Sequence, residues 1–437
     1  MKLIKYIVSA FLCLTLGVQA NAQVPVPAVP QQQAVLIKGA TLHLGNGQVI
    51  ENGAITFEGG KITYVGTVEG VPANDNYKVI EGAEKHVYPG LILPATDLGL
   101  QEIGQVAASR DDREVGRINP EVRGVIAYNT DSHVIPTLRS NGILTAQVTP
   151  HGGIFSGTSS IVQMDAWNWE DALIREDDGV HLNWPRQFLP PRWWMAENAG
   201  RPNKNYDKTV DLIEETIRDA AAYHENALEN NLKMEALKGL FDGSKTLYLH
   251  ASYAKGILKG VQLAKKHGVK RIVLVGGEEA WYVKDFLKDF NIPVILANVH
   301  RLPHHVDEDV DLPYRLPFML KEAGLLVGLS YEGVTSARNL PFFAGTAATY
   351  GLNKEEALKL VTANMAEILG ISGQVGTLEQ GKEATLLLAD GDLLDMRTNE
   401  VRKAFIQGRD IDLNNKHKML YNKFKLKYAQ KQEPLEN

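Results

Sequence analysis

The sequence has almost no cysteine, with a single residue, Cys13, in 437 positions. Cys13 lies in an apolar stretch, residues 6–18, which follows the basic segment MKLIK and precedes the small-x-small motif ANA that ends at Ala22. This order is typical of a cleaved secretory signal peptide. We therefore predict that residues 1–22 are removed and that the protein is exported, to a periplasm or outside the cell. The remaining chain then has no disulfide, no thiol nucleophile and no zinc–cysteine site.

An excess of positive charge is also missing. Lys and Arg number 46 against 52 Asp and Glu, which gives a formal net charge of −6. This mild acidity provides no electrostatic basis for binding nucleic acid or an anionic membrane, and the apolar N-terminal stretch is too short to span a bilayer. We predict a small-molecule substrate or ligand, no nucleic acid and no membrane span, and we leave oligomer formation open.

The two ends of the chain share a pattern of short strands. Residues 34–90 alternate apolar and polar side chains between Gly- and Asn-containing turns, and residues 371–413 do the same around an Asp-Gly-Asp turn. This spacing predicts antiparallel strands and hairpins. We expect both segments to form one small composite β-sandwich, preceded by a Pro/Gln-rich linker at 23–33 and followed by a basic, solvated tail at 414–437.

The segment between them, residues 91–370, alternates apolar runs with helical stretches. ILTAQV, TLYLHA, RIVLVGG, PVILANV and LLVGLS have strand character, whereas AKGILKGVQLAKKHG has apolar residues at helical spacing. Such alternation is typical of parallel strands joined by crossover helices. A segment of about 280 residues fits a (β/α)8 TIM barrel, in which catalytic groups lie at the C-terminal ends of the strands. We therefore predict an α/β fold with such a barrel inserted in the sandwich.

The stretch GLNKEEALKLVTANMAEILG near the end of this segment predicts one helix. Asn353 is placed as the N-cap, Glu356 occupies the third helical position, and Gly370 is a stop signal.

Three stretches carry a resemblance to a known family: GATLHLGNGQVIENGAITFEGGKITYVG, VYPGLI and KLVTANMAEILGISGQVGTLEQGKEATLLLADGD. In order and spacing they resemble the amidohydrolase superfamily, near its imidazolonepropionase-like branch. The resemblance implies the same composite fold and the hydrolysis of C–N bonds by one or two divalent metal ions. In that family a His pair follows strand 1, a carboxylated Lys or a Glu lies on strand 4, single His residues lie on strands 5 and 6, and an Asp follows strand 8. The ions activate a bound water, and the strand 8 Asp accepts its proton.

Most of these ligands are missing from this sequence. Ala95 and Asp97 stand at the two His positions after strand 1, the Gly276–Gly277 pair replaces the strand 6 His, and Ser330 replaces the strand 8 Asp. His250 alone is kept, at the end of strand 5. A zinc site needs three or four convergent ligands, so the ordinary mechanism requires replacements.

Several polar residues at predicted strand ends are candidates for a rebuilt site. We predict His250 and His300 as ligands of one divalent ion, zinc or manganese, and Asp97, His151 and Glu332 as catalytic residues. These side chains all follow predicted strands, where a barrel places its active site.

Each group of candidates has an alternative interpretation. The loop after His300, with His304 and His305, is also typical of a solvated polar connection, because adjacent His residues rarely bind one ion. His151 lies in a Gly-rich loop that is equally typical of a loop without a ligand. The Trp-rich excursion 165–197 is either a lid over the barrel mouth or simple packing.

Two functions therefore stay open on the sequence. One is an amidohydrolase-like hydrolase that acts on amide, cyclic amide or small peptide-like bonds. The other is a non-catalytic barrel that binds a small ligand or a protein partner in the periplasm.

Overall fold

A computed structural model describes residues 26–190, 200–226, 229–303, 308–331, 333 and 336–430. The predicted signal peptide at 1–22, Glu332, and the His304–His305 pair lie outside the described residues.

The strands are β1 (Val35–His43), β2 (Val49–Glu58), β3 (Lys61–Thr67), β4 (Lys78–Glu81), β5 (His86–Pro89), β6 (Leu91–Thr96), β7 (Ile143–Val148), β8 (Phe155–Gln163), β9 (Leu173–Asn183), β10 (Phe188–Leu189), β11 (Arg201–Pro202), β12 (Thr246–Ala251), β13 (Ile272–Gly276), β14 (Val294–Ala297), β15 (Val327–Ser330), β16 (Leu386–Ala389), β17 (Val401–Ile406) and β18 (Arg409–Asp410). The α-helices are α1 (Ile135–Arg139), α2 (Trp169–Ala172), α3 (Tyr206–Glu225), α4 (Leu232–Leu237), α5 (Gly239–Asp242), α6 (Ala254–Lys266), α7 (Lys284–Asp289), α8 (Leu312–Glu322), α9 (Leu340–Thr349), α10 (Lys354–Lys359), α11 (Ala363–Ile368) and α12 (Lys416–Gln430). Short 3₁₀ helices cover Val68–Gly70, Ala107–Ser109, Gly124–Ala127, Ala280–Val283 and Ala337–Asn339.

Eight strands of the central segment form a barrel-like sheet. They are hydrogen-bonded in the order β6, β7, β8, β9, β12, β13, β14 and β15, and β15 packs beside β6, so that the sheet is nearly closed. Both faces are covered, which is why β6, β7 and β14 consist entirely of buried residues. The fold is TIM-barrel-like, in agreement with the α/β alternation of the sequence.

One part of the sheet differs from the predicted (β/α)8 pattern. Strand β8 runs antiparallel to both β7 and β9, whereas the other neighbouring strands of this sheet are parallel. The connection between β7 and β8 turns back at Gly152 and Gly153, with φ of +86° and +67°. It is too short for a crossover helix, which needs about a dozen residues or more. A hairpin therefore replaces one βαβ unit.

Strands from the two ends of the chain form a second sheet. Its order is β18, β17, β16, β5, β1, β2 and β3, with β4 paired to β1. Strand β16 pairs antiparallel with β5, Leu386 opposite Pro89 and Ala389 opposite His86. The sheet encloses a core of its own that includes Ile37 and Phe405. Both ends therefore share one sheet, while its closure as a two-layered sandwich stays a prediction.

The single helix predicted after Gly351 is wrong, because two helices, α10 and α11, stand there. The capping box of Asn353 and Glu356 is present as predicted, but the helix ends at Lys359. The carbonyls of Leu360 and Val361 instead accept hydrogen bonds from the backbone N–H groups of Leu329 in β15 (3.1 Å) and Ile92 in β6 (2.9 Å). The interruption thus supplies backbone partners to the two strands at the open seam of the barrel.

The C-terminal tail forms helix α12, which buries none of its residues. Among the described residues, none of the helices combines the length and the apolar character needed to cross a membrane.

Candidate active site at the barrel mouth

A cavity of about 440 Å³ opens where the barrel strands end. The residues that line it come from successive strand ends and include Asp97, His151, Asn183, His250, Ala297 and Ser330. A larger cavity of about 660 Å³ continues from it and shares Asn183 and His250. The two cavities together form a concave site of the size that small-molecule ligands occupy.

Asp97 and His151 face each other across this cavity. The Asp97 Oδ2 and His151 Nδ1 atoms are 4.0 Å apart. Asp97 is buried, and its Oδ1 has no hydrogen-bond partner among the described residues. A buried carboxylate oxygen without a partner is costly unless a ligand, water or ion satisfies it.

The backbone before Asp97 is turned sharply at the position where the family has its first histidine. Ala95 has a φ of +49°, which is uncommon for a residue with a Cβ. Its N–H donates to the Gln147 Oε1 atom at 3.0 Å. Strand β6 therefore ends in a bend held by β7, and this bend directs the chain to Asp97 at the mouth.

Asp112 is the third member of this corner. One ligand atom each from Asp97, Asp112 and His151 lies within 4.8 Å of the others. The Asp112 carboxylate, however, accepts hydrogen bonds of 2.9–3.2 Å from the guanidinium groups of Arg110 and Arg113. Burial raises the pKa of Asp112, but these hydrogen bonds outweigh it and the pKa is lowered. Asp112 is therefore already neutralised by two cations.

Two histidines meet on the opposite wall, where β9 and β12 lie side by side. The His181 Nδ1 and His250 Nε2 atoms are 2.8 Å apart. His181 is fully buried, stacks on Tyr248 at a ring distance of 4.6 Å, and has no hydrogen-bond partner for Nε2 among the described residues. His181 lies on β9, the fourth strand in the order of the barrel sheet, next to β12, which carries His250.

A polar network inside the barrel supports this pair. The Tyr248 hydroxyl, the Gln147 Nε2 and the Ser159 Oγ donate to the Asp178 carboxylate at 2.7, 2.8 and 2.8 Å. Burial raises the pKa of Asp178 although these hydrogen bonds oppose it. Since Gln147 also holds Ala95, the network links the floor beneath His181 to the bend before Asp97.

Both imidazoles of the pair are neutral near pH 7. Burial lowers the pKa of His250 to about 3, with a smaller contribution from His151. Burial also lowers the pKa of His181 well below its usual value, with smaller contributions from His250 and His151. A neutral imidazole keeps a lone pair on one nitrogen. The two histidines therefore carry no positive charge and present nitrogen atoms that can accept a hydrogen bond or bind a metal ion.

The predicted site residues fall into two groups. Asp97, His151 and His250 line the same cavity. His300 does not reach it, since its Nε2 lies 2.6 Å from the Thr346 Oγ1 and its ring packs edge-on against Phe343 in α9. His300 lines a separate cavity of about 790 Å³ together with that helix.

Ser330, at the place of the family's strand 8 acid, has a structural role. Its Oγ donates to the Pro94 carbonyl at 2.7 Å, which ties β15 to β6. Glu332, predicted as a replacement acid, lies outside the described residues.

The donors at the mouth include ligand types that suit a divalent ion. Asp97 offers a carboxylate, and His151 and His250 offer imidazole nitrogens on the same cavity. His250 is not among the three residues, Asp97, Asp112 and His151, whose ligand atoms lie within 4.8 Å of one another. Carboxylate oxygen and imidazole nitrogen are ligands that zinc and manganese accept. Asp112 adds nothing to this set, because its oxygens are bound by arginines.

Sequence reasoning missed His181, Asp178 and Tyr248. All three lie within strands rather than at strand ends, on β9 and β12. The signal that pointed to them was weak: Asp178 and His181 flank only two non-polar residues, and charged residues precede them at 175–177.

Part of the chain matches a known protein family. A model of the amidohydrolase family matches residues 198–411, which include His250 and the C-terminal strands of the second sheet. Asp97 and His151 precede the matched part.

Two curated relatives match most of the chain. An imidazolonepropionase from Shouchella clausii is 24% identical over 388 residues, 78% of this chain and 80% of the relative. A 5-methylthioadenosine/S-adenosylhomocysteine deaminase from Thermoanaerobacter pseudethanolicus is 24% identical over 389 residues, 79% of this chain and 82% of the relative.

A solved structure shows the same fold. The crystal structure of an amidohydrolase from Thermotoga maritima superposes with a TM-score of 0.76 at 22% identity, over 86% of this chain and 99% of the other.

Proposed function

We propose that this protein, a member of the amidohydrolase superfamily, hydrolyses a C–N bond of a small amide, cyclic amide or peptide-like compound. The observation that carries the proposal is the convergence of Asp97, His151 and His250 on one cavity at the strand ends. The relatives named imidazolonepropionase and deaminase support C–N hydrolysis at the level of the family.

Asp97 is suited to the role of general base. Its carboxylate lines the cavity, where it can accept a proton from an attacking water. His151, 4.0 Å from Asp97, is placed to pass that proton to the leaving nitrogen. Hydrolysis of a C–N bond needs both transfers, because an amide nitrogen leaves only after protonation.

His181 acts through His250. Its Nδ1 lies 2.8 Å from the His250 Nε2, and its ring is held on Tyr248. We assign His181 as a positioning residue that fixes the orientation of the His250 ring at the cavity wall.

Members of the family typically bind a divalent metal, and in this chain Asp97, His151 and His250 line the cavity that would hold it. When bound, zinc or manganese would supply Lewis-acid activation of water and of the scissile carbonyl.

A substrate screen with matched variants tests the proposal. Wild-type protein is incubated with N-acyl amino acids, dipeptides and cyclic amides, and released amine and ammonia are measured. Asp97→Asn and His250→Gln should lower the rate roughly 100-fold or more, whereas His300→Gln, on another cavity, should leave it unchanged. Elemental analysis should find a divalent ion that His250→Gln reduces by about one equivalent per chain and that His300→Gln retains.

Three outcomes would contradict the proposal. Full activity of Asp97→Asn would show that Asp97 has no part in the mechanism. An equal loss of activity in His300→Gln would show that the active site lies at the His300 cavity instead. If no compound released amine or ammonia while one raised the Tm, the result would support a non-catalytic barrel.

Export is a separate part of the proposal. The signal peptide pattern at residues 1–22 supports it. N-terminal sequencing of protein from the extracytoplasmic fraction should begin at Gln23, and recovery of full-length protein from the cytoplasm would contradict export.

A further inference from the structure

A second pair of facing histidines lies far from the barrel mouth in the topology, where the second sheet meets the last barrel helices. His43 ends β1 and His86 begins β5, and the His43 Nε2 and His86 Nδ1 atoms are 3.0 Å apart. The Glu355 Oε1 atom of α10 lies 2.6 Å from the other His43 nitrogen, Nδ1. We call His43, His86 and Glu355 the junction cluster.

The junction cluster lines a cavity of about 280 Å³. Tyr88 forms its floor and stacks on the His43 ring, with centroids 4.3 Å apart and planes 7° from parallel. The imidazoles are therefore held in place by packing, with open space beside them.

We propose that the junction cluster binds a divalent transition-metal ion of the kind that accepts imidazole, such as Zn²⁺, through the His43 Nε2 and the His86 Nδ1. The proposal is independent of the chemistry at the barrel mouth.

The nitrogen positions carry this assignment. Two imidazole nitrogens on one tetrahedral zinc, at 2.0–2.1 Å each, are about 3.3 Å apart. The facing nitrogens of His43 and His86 are 3.0 Å apart, and their rings are only 28° from parallel. An ion therefore requires the two nitrogens to separate by a few tenths of an ångström. Two protein ligands are fewer than the three or four of a resident zinc site, so the junction cluster would bind an exchangeable ion whose remaining ligand positions are filled by water in the cavity.

Glu355 prepares His43 for this role. Its carboxylate lies against the His43 Nδ1, which places the ring proton there and leaves the lone pair on Nε2, facing His86. Metal-binding histidines commonly donate their second N–H to a carboxylate in this way. The other Glu355 oxygen is buried and has no hydrogen-bond partner among the described residues. No hydrogen bond through that oxygen therefore competes with the contact to His43.

The charges around the cluster favour a cation. Glu355 and Asp392 are acidic, and Lys354, the one basic side chain lining this cavity, forms an ion pair with the Asp392 Oδ2 at 2.6 Å.

Binding there would have a structural effect. His43 and His86 belong to the second sheet, and Glu355 to α10 beside the barrel seam. An ion that orders all three would stabilise the junction between the sheet and the barrel, since a ligand that binds only the folded state raises its stability.

Metal titration of the full-length folded protein tests the proposal. Chelator-treated protein receives Zn²⁺ or Co²⁺, and bound metal, Tm and the visible Co²⁺ spectrum are recorded. All measurements are repeated in an Asp97→Asn background, which weakens any site at the barrel mouth. The junction should contribute one equivalent of metal and a rise in Tm in both backgrounds.

Three variants isolate the cluster. His86→Gln should lose that equivalent and the rise in Tm, and Glu355→Gln should weaken binding roughly 10- to 100-fold. His133→Gln is the matched control, because His133 also pairs with a carboxylate at 2.6 Å, Glu102, and lacks a second imidazole within the pair.

Two results would overturn the proposal. One is unchanged metal binding by His86→Gln in the Asp97→Asn background. The other is a protein whose bound metal is lost entirely in Asp97→Asn, which would restrict binding to the mouth. Because hydrolysis is not measured in this experiment, its failure leaves the proposed hydrolase function standing, and the reverse also holds.

Discussion

Two carboxylates near the barrel mouth, Asp112 and Asp178, are equally buried and are held in opposite ways. Each is 1% exposed. Asp112 is bound by two guanidinium groups, and its pKa is lowered. Asp178 is bound by three neutral donors, and burial raises its pKa. Burial alone therefore does not decide the charge of a carboxylate; the charge of its donors does.

The two carboxylates lie in different electrostatic surroundings within one site. The charged groups are at the rim, where Arg110 and Arg113 reach solvent. The barrel interior beneath His181 contains neutral donors around the Asp178 carboxyl group, whose pKa is raised by burial. Burial also lowers the pKa of His181, with smaller contributions from His250 and His151.

Removing the inner carboxylate should have the largest effect. Asp178→Ala leaves the Tyr248 hydroxyl buried without its acceptor and removes one acceptor each from the Gln147 amide and the Ser159 hydroxyl, which keep longer contacts to Ser159 and to the Gly179 carbonyl. The loss of three hydrogen bonds to one buried carboxylate should cost about 3 kcal/mol in the free energy of unfolding. Urea denaturation measures this loss. Asp285→Ala, on an exposed side chain, is the control and should change stability by under about 0.5 kcal/mol.

Removing one donor from the same carboxylate should cost less. Tyr248→Phe keeps the ring that stacks on His181 and deletes one hydrogen bond, which predicts a loss of about 1–2 kcal/mol. Activity should fall less than in His250→Gln, because the imidazole pair keeps its support. A loss as large as that of Asp178→Ala would show that the three donors do not act separately.

Removing the rim carboxylate should cost least of the three. Asp112→Asn weakens its pairing with Arg110 and Arg113, but both arginines remain partly exposed and hydrated, so we expect a loss of about 1 kcal/mol. The effect should shrink at high salt, since exposed charges are screened. If the destabilisation by Asp112→Asn did not change with salt, the two guanidinium groups would be less hydrated than their exposure in the structure indicates.

The two carboxylates should also differ in the sign of their pH dependence. The raised pKa of Asp178 means that the folded state keeps a proton that the unfolded state has released, so stability is lost as pH rises above about 3.8. The lowered pKa of Asp112 means that stability is lost as pH falls below about 3.8. Unfolding curves for wild type, Asp178→Asn and Asp112→Asn over pH 2.5–7 measure both slopes by difference. Slopes of the same sign would refute the comparison.

Much of the barrel could be predicted from the sequence, because apolar strands and the helices that connect them differ in the spacing of their apolar residues. Strands β8 and β9 were the exceptions. Strand β9 lies within the Trp-rich excursion 165–197, for which the sequence had suggested a lid or simple packing. Strand β8 contains the run SGTSS of small and mostly polar residues, yet all of its residues are buried, because hydroxyl groups such as that of Ser159 find partners inside the sheet. Neither periodicity nor hydrophobicity distinguishes such a strand from a loop, and its antiparallel direction follows only from the short turn before it.

The candidate site was readable in part for a related reason. Asp97, His151 and His250 follow strands, and strand ends meet at one face of a barrel. His181 lies within a strand. Its role follows only from the neighbouring strand, which brings the His250 Nε2 within 2.8 Å of the His181 Nδ1. His300 follows a strand too, but its side chain turns to Thr346. Side-chain direction beyond a strand end depends on packing that a single sequence does not show.

The interrupted helix has a consequence for how the protein is made. Its carbonyls at Leu360 and Val361 are the partners of backbone groups in β15 and in β6, and β6 is the first barrel strand to leave the ribosome. The bond between Ile92 and Val361 therefore forms only when nearly the whole barrel segment is available to fold. Closure of the barrel comes late in folding, and the unpaired strand edges before closure favour aggregation.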